Sequence, residues 1–284
     1  MTTSTQVLMD GISFGESPRW HDDRLWFSDW GTQELIAVDA MGAREVVLSM
    51  GEGFLPFCID WLPDGRLLIA AAGEQAVLRR EPDGSLVRHA DLSGLSEHAW
   101  NEIAVDGRGN AYVNNIGFDM AGGEFAPGLV AVVTPDGTAR QVADGVAFPN
   151  GMAITSDGST LIVAESYAAK LTAFDIEPEG GLSNPRTWAE LGEGAAPDGI
   201  CLDAEGAVWY GDVPNRHCRR VAEGGEVLDT IELDRGCFAC ALGGDDGRTL
   251  FMVAREWQGM ESFGGEELTG QIVTARVATP LKNV

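Results

Sequence analysis

Four side chains in this sequence carry oxygen where their counterparts in an internal repeat carry carbon: Glu16, Asn101, Asn150 and Asp198. Two carboxylates and two amides make a donor set for a hard cation, because all-oxygen ligands suit calcium, magnesium or manganese better than a thiolate-seeking ion. Brought together without a cation, the two carboxylates would repel, and burial would penalise each unpaired charge. Taken singly, each of the four could instead cap its own strand or bond a neighbouring backbone amide. Their common phase in the repeat is what favours an ion.

That phase is set by a recurring hairpin. Its clearest copy is Ala196-Pro197-Asp198-Gly199-Ile200-Cys201-Leu202, followed by a turn on Asp203 and Gly206 and a second apolar run, Val208-Trp209-Tyr210. Short apolar runs separated by Asp/Gly turn chemistry read as a β-hairpin. The turn recurs at Asp22, Asp64, Asp106, Asp157, Asp203 and Asp245, spaced by 42 to 51 residues. An apolar or aromatic run follows each, from Leu25-Trp26-Phe27 to Leu250-Phe251-Met252. Aligned on these turns, the first strand of each unit opens at Glu16, Phe57, Asn101, Asn150, Asp198 and Phe238. The positions two and four residues later are apolar throughout, Pro18 and Trp20 in the first unit, which predicts burial at both.

A repeat of this length with several strands per unit is the signature of a propeller blade. The sequence therefore predicts one all-β domain over residues 1–284, a six-bladed β-propeller with four-stranded blades around a central channel. Thr5 to Met9 form a strand with no hairpin of their own, expected to complete the last blade and so remove an open edge. Two stacked β-sandwiches are the competing arrangement. In the propeller, equivalent positions lie in a ring, so Glu16, Asn101, Asn150 and Asp198 should converge at one channel mouth.

Composition narrows the partners. The 19 Lys and Arg stand against 44 Asp and Glu, a formal charge of −25, which disfavours nucleic acid and anionic membrane surfaces. No apolar run approaches the ~20 residues of a membrane helix, and the N-terminus lacks a basic segment followed by an apolar one. The expected compartment is the cytoplasm. The five Cys show no framework spacing, and Cys237 with Cys240 form a lone C-x-x-C, half of a zinc site at most. The four His have no ligand spacing, although His98 could enter the pocket ahead of Asn101. No G-x-S-x-G elbow and no phosphate-binding Gly loop occur. Asp119 to Pro127 and Glu256 to Glu267 read as loops over the mouth.

At these residues the chain resembles the senescence-marker-protein/gluconolactonase family, also called regucalcin-like. The matching motifs are Gly15-Glu16-Ser17-Pro18 with Trp20, Asn101-Glu102 with Val105-Asp106, Asn150-Gly151, and Pro197-Asp198-Gly199 with Leu202-Asp203-Ala204-Glu205-Gly206. The resemblance implies one divalent cation held by Glu16, Asn150 and Asp198. Calcium leads; zinc, manganese, magnesium and iron are the alternatives. It also implies hydrolysis of a small-molecule lactone or ester, with Asn101 contacting substrate, or the ion through water, and Asp119 standing near an acidic position that some members use. Family members often carry Arg two residues before the Asn, where this chain has Ala99. That departure puts sugar-acid specificity in doubt, and Trp100, Phe57, Phe148, Tyr167 and Phe238 could make a more apolar mouth.

Lactone hydrolysis needs a polarised carbonyl, an activated water and a stabilised oxyanion, and a divalent ion serves the first and third. Asp198 is the candidate base and Glu16 its competitor. Cleavage of phosphotriesters or aryl esters at the same ion is the second reading. A non-enzymatic propeller that binds calcium or a partner protein is the third.

Overall fold

The computed structural model describes residues 4–51, 53–120, 122–259 and 267–282. Every regular element among them is a strand, in six antiparallel sheets of four. The chain opens with β1 (Thr5–Ile12). Blade 1 is β2 (Gly15–His21), β3 (Arg24–Asp29), β4 (Glu34–Val38) and β5 (Arg44–Ser49). Blade 2 is β6 (Phe57–Trp61), β7 (Leu67–Ala71), β8 (Ala76–Arg80) and β9 (Leu86–Asp91). Blade 3 is β10 (Trp100–Val105), β11 (Ala111–Asn115), β12 (Gly128–Val133) and β13 (Ala139–Val146). Blade 4 is β14 (Pro149–Ile154), β15 (Thr160–Glu165), β16 (Lys170–Ile176) and β17 (Leu182–Glu190). Blade 5 is β18 (Pro197–Leu202), β19 (Val208–Asp212), β20 (His217–Val221) and β21 (Val227–Glu232). Blade 6 joins β22 (Gly236–Gly243), β23 (Thr249–Arg255) and β24 (Gly270–Arg276) to β1, whose Thr5 pairs with Ala275 and Ile12 with Gly270.

The first strands touch in the order β2, β6, β10, β14, β18, β22 and back to β2. This closed ring is the six-bladed propeller, and it excludes stacked sandwiches. Burial follows from the packing. β7 and β19 are buried at every residue, because neighbouring blades cover both faces of their sheet. The outermost strands, such as β5, face solvent along most of their length. The hairpin turns carry the chemistry that their sequence implies: Asp22 and Asp23 both have positive φ, 49° and 57°, the twist that joins adjacent strands through two residues.

One expectation needs correction. Trp20, Trp61, Val105, Ile154 and Leu202 are only half-buried, with Leu242 alone of that set fully covered. They stand at the far ends of the first strands. There Trp20, Val105, Ile154 and Leu202 pack against the blades on one side, Trp20 stacking on Phe251 at 5.2 Å, and flank a cavity of about 440 Å³ on the other.

The opposite mouth is held by buried polar residues that end the second strand of four blades. Asp29 accepts hydrogen bonds from Ser13 N at 3.0 Å and Phe14 N at 2.8 Å. Asn115 Nδ2 donates to His98 O at 2.7 Å, and Glu165 accepts from Ala147 N at 2.7 Å. Asp212 accepts from Ala196 N at 3.5 Å. Each bond fixes the backbone two or three residues before Glu16, Asn101, Asn150 or Asp198. Bonds to a charged acceptor, as at Asp29, Glu165 and Asp212, contribute about 1.5–3 kcal/mol, and the neutral Asn115 bond about 0.5–1.5 kcal/mol, so the segments entering the four positions are held in place.

The cysteines are free, and Cys201 Sγ lies 3.7 Å from Cys240 Sγ in the packing between blades 5 and 6. Burial pushes the Cys240 thiol up, and the bond to Cys240 followed by burial pushes Cys201 up, which keeps both protonated. Among the described residues no three or more His, Cys, Asp and Glu gather to hold a metal, so Cys237 and Cys240 are core residues.

Candidate metal and active site

Glu16, Asn101, Asn150 and Asp198 lie at the entrances of β2, β10, β14 and β18. Asn101 Nδ2 donates to Pro149 O at 3.3 Å and to Asn150 Oδ1 at 3.5 Å, joining blade 3 to blade 4. Asn150 lies near enough to the Asp198 carboxylate to stabilise its charge, and Ser166, which accepts from Asn150 Nδ2 and donates to Pro197 O, joins blade 4 to blade 5. Glu16 comes from blade 1, close enough for the charge of Asp198 to act on it.

Two glycines make this convergence possible. A Cβ on Gly151 would lie 2.5 Å from Ile200 N and 2.6 Å from Asp198 O, and one on Gly199 would lie 2.4 Å from Ala239 Cβ. Only a residue without a side chain lets β14, β18 and β22 approach this closely. Each follows a polar ring residue directly, which explains the Asn150-Gly151 and Asp198-Gly199 pairs seen in the sequence.

The electrostatics of the ring are unfavourable without a cation. Burial, then the charge of Asp198, then that of Glu102, push the Glu16 carboxyl well above the usual range. Asp198 is pushed up by burial and by Glu102, partly offset by its bond from Asn150. Among the described residues no Lys, Arg or His makes an ion pair with either. The nearby cation, Arg19, is spent on Glu102 Oε1 at 3.2 Å and Ile103 O at 2.7 Å. Two buried carboxylates at 7% and 8% exposure, with the neutral amides of Asn101 and Asn150 and the further negative charge of Glu102 nearby, fit a hard divalent ion in donor type and in charge.

Residues 14–256 match the sequence profile described as the SMP-30/gluconolactonase/LRE-like region. The chain belongs to this family. Among its relatives, the pentonolactonase XacC of Haloferax volcanii is 28% identical over 96% of this chain and 92% of its own length. The 6-deoxy-6-sulfogluconolactonase of Pseudomonas putida is 26% identical over 94% and 92%. Among solved structures, a regucalcin from Agrobacterium tumefaciens, described as a calcium-binding protein, superposes with a TM-score of 0.81. It is 20% identical, covering 99% of this chain and 96% of that one, and it supports the propeller fold.

The other sequence candidates divide. Asp119 is exposed beside Phe118, on the connection between β11 and β12. Trp100 and Phe57 are 0% exposed. Trp100 donates its indole N–H to Gln75 at 3.1 Å, and both side chains belong to the core cluster of blades 1 to 3. Neither is presented to a substrate: strand alternation turns Trp100, next to Asn101, into the blade, and Phe57, although in the ring phase itself, is covered by its core neighbours. Phe238 is likewise buried at 4%. His98 is exposed on its loop and offers its carbonyl to Asn115. Of the second expected mouth loop, residues 260–266 lie outside the described residues.

Sequence reasoning missed the layer beneath the ring. Glu102 accepts from the Ser17 hydroxyl at 3.1 Å, from Arg19 and from its own strand at Ile103 N, 2.8 Å. Ser17 Oγ also accepts from Ile59 N at 3.0 Å, so one hydroxyl ties blades 1, 2 and 3 together. Asn114, fully buried, donates to Asn150 O at 2.6 Å and accepts from Glu102 N at 3.1 Å. Ser166 accepts from Asn150 Nδ2 at 3.4 Å and donates to Pro197 O at 2.7 Å. One signal was available. Glu102 occupies a phase at which the other units carry Ser17, Cys58, Gly151, Gly199 and Ala239, all small.

The 440 Å³ cavity at the far mouth includes none of the four ring residues. Volume and donor chemistry thus point to opposite ends of the channel. We assign the site by chemistry, because among the described residues the ring end gathers two buried carboxylates, Glu16 and Asp198, that make no ion pair.

Proposed function

We propose that the protein hydrolyses lactones at a divalent cation, calcium first, held by Glu16, Asn150 and Asp198. The observation that carries this reading is the pair of buried, mutually repelling carboxylates, Glu16 and Asp198, with no basic partner among the described residues. The lactonase names of two relatives, each aligned over more than nine-tenths of this chain, support the substrate class.

When bound, such a cation polarises the lactone carbonyl and neutralises charge on its oxygen. The chain's own residues do the rest. Asp198 takes a proton from the attacking water on its carboxylate. Burial and the charge of Glu102 raise the Asp198 carboxyl in the ion-free fold, and a bound cation would lower it again, so the proton transfer would be helped by the cation's activation of the water. The water oxygen bonds to the acyl carbon, the ring C–O bond breaks, and the proton passes to the departing alkoxide, giving a hydroxy acid. Asn101 and Asn150 fix the ring between blades 3 and 5, and the Glu102–Arg19–Ser17 layer holds its floor. Ala99 supplies no guanidinium for sugar hydroxyls, so unsubstituted γ- and δ-lactones should be turned over at least comparably with gluconolactone.

The test is pH-stat hydrolysis of γ-butyrolactone, δ-valerolactone and gluconolactone by metal-stripped protein, resupplied with calcium, magnesium, manganese or zinc in turn. Acid release that returns with at least one ion is expected. Tight ion binding with no lactone turned over would favour a non-enzymatic calcium-binding propeller instead.

A further inference from the structure

Four aromatic rings meet beside the ring of ligands, drawn from three segments of blades 3 and 4. Phe118 lies 5.6 Å from Phe125, 5.7 Å from Phe148 and 5.9 Å from Tyr167, centroid to centroid. Phe125 lies 5.7 Å from Tyr167, and Tyr167 stacks on Phe148 at 4.8 Å. Two of the four precede or follow residues of the site. Phe148 stands two positions before Asn150. Tyr167 follows Ser166, the partner of the Asn150 amide, and its backbone N–H bonds Ala147 O at 3.2 Å.

This cluster is not ordinary core. Phe118 is covered, yet Phe125 is 52% exposed and Tyr167 60% exposed. On the other side of the mouth Phe14, Trp30 and Phe238 also meet ring to ring, and there all three are under 10% exposed. Phe148 is held at φ 54°, a left-handed conformation that a bulky side chain seldom adopts and that the surrounding bonds enforce. Exposed rings packed on one another beside polar ligands form an apolar platform with a polar edge, the arrangement of a small-molecule pocket.

We propose that Phe118, Phe125, Phe148 and Tyr167 form an apolar subsite that receives an alkyl or aryl substituent on the lactone ring. The proposal rests on the lactonase reading for the reacting group, and on the aromatic geometry for the substituent. With the ester at the ligand ring, a side chain on the ring carbon next to the ring oxygen extends over blade 4 onto Phe148 and Tyr167, and Phe125 closes over it. Trp100, Phe57 and Phe238 are buried, so of the aromatic residues that the sequence offered for an apolar mouth, Phe148 and Tyr167 are the ones left at least partly uncovered.

Two pairs of probes test this. The first is γ-nonalactone against γ-butyrolactone, read as kcat/KM. The second is 2-pentylcyclopentanone against cyclopentanone, which cannot be hydrolysed, read as affinity by calorimetry. A five-carbon chain covering two exposed rings should favour the pentyl-bearing member of each pair by about tenfold or more. The double substitution Phe125→Ser with Tyr167→Ser should bring both ratios close to unity. Tyr167→Phe, which keeps the ring and removes the hydroxyl, should preserve them. Circular dichroism and calcium titration establish that each variant is folded with its ligand ring intact. Equal treatment of both members by the wild type, or ratios unmoved in the double variant, would overturn the subsite. If no lactone is turned over, the ketone pair still decides: a preference that depends on Phe125 and Tyr167 upholds the subsite while the lactonase reading falls.

Discussion

Asp198→Asn should lower kcat/KM for lactone hydrolysis by about a thousandfold or more, with the circular dichroism spectrum unchanged. The size follows from two losses in one atom-for-atom replacement: a charged ligand becomes a neutral amide, and the group that takes the proton from water disappears. Removing a general base alone costs typically about 10²–10⁴-fold. The fold should survive, because β18 is paired through Pro197–Asp212, Ile200–Tyr210 and Leu202–Val208, none of which needs the Asp198 side chain. The two losses can be separated by adding excess ion. Glu16→Gln, which weakens the ion but leaves Asp198 in place, should recover a large part of its activity at saturating ion. Asp198→Asn should not. Recovery of Asp198→Asn to within about tenfold of wild type would reduce Asp198 to a ligand and leave the base unassigned.

The second large effect is on stability, and it runs against the usual behaviour of carboxylates. Glu16 and Asp198 both have folded pKa values above their unfolded ones, through burial first and then repulsion from their acidic neighbours. The folded state therefore binds more protons than the unfolded state between about pH 4, where the unfolded groups titrate, and the raised folded values. Stability contributed by these groups is greatest at the acid end of that window and falls as pH rises through it. Ion-free protein should melt at a higher temperature at pH 5.5 than at pH 8. A divalent ion should remove most of the difference by stabilising the charged forms at pH 8. Each unit of raised pKa corresponds to about 1.4 kcal/mol. Glu16→Gln should therefore raise the melting temperature of ion-free protein at pH 8 and flatten its pH dependence. The high negative charge of the chain also relaxes as pH falls, so the informative quantity is the wild type minus Glu16→Gln difference. A difference of zero across pH 5.5 to 8 would mean that Glu16 is not strained in the ion-free fold.

The propeller was legible because its signals are local and repeated. An Asp/Gly turn every 42 to 51 residues sets the phase of each first strand, and Thr5 to Met9 had no partner but the last blade. The ring was legible for the same reason, since Glu16, Asn101, Asn150 and Asp198 break one apolar column. What hides in the sequence is anything that depends on which side of a strand faces in. Trp100 adjoins Asn101, and a period of two turns it into the core while Asn101 faces the mouth. Glu102 looked like half of a motif. Its role depends on Ser17 and Arg19, more than eighty residues away in another blade. The same holds for Asp29, Asn115, Glu165 and Asp212, each of which ends an apolar run and reads as a turn signal until its backbone partner is seen. The aromatic platform is assembled from residues 118, 125, 148 and 167, too irregularly spaced to register as a pattern.

The central claim is that Glu16, Asn150 and Asp198 hold one divalent ion, and calorimetric titration of calcium into metal-stripped protein tests it most directly. Wild type should bind one calcium per chain, with protons released at pH 5.5 as the raised carboxyls ionise. Glu16→Gln and Asp198→Asn should each abolish that tight site while the strand signal in circular dichroism is retained. A tight, stoichiometric calcium that persists in either variant would place the ion elsewhere and contradict the account.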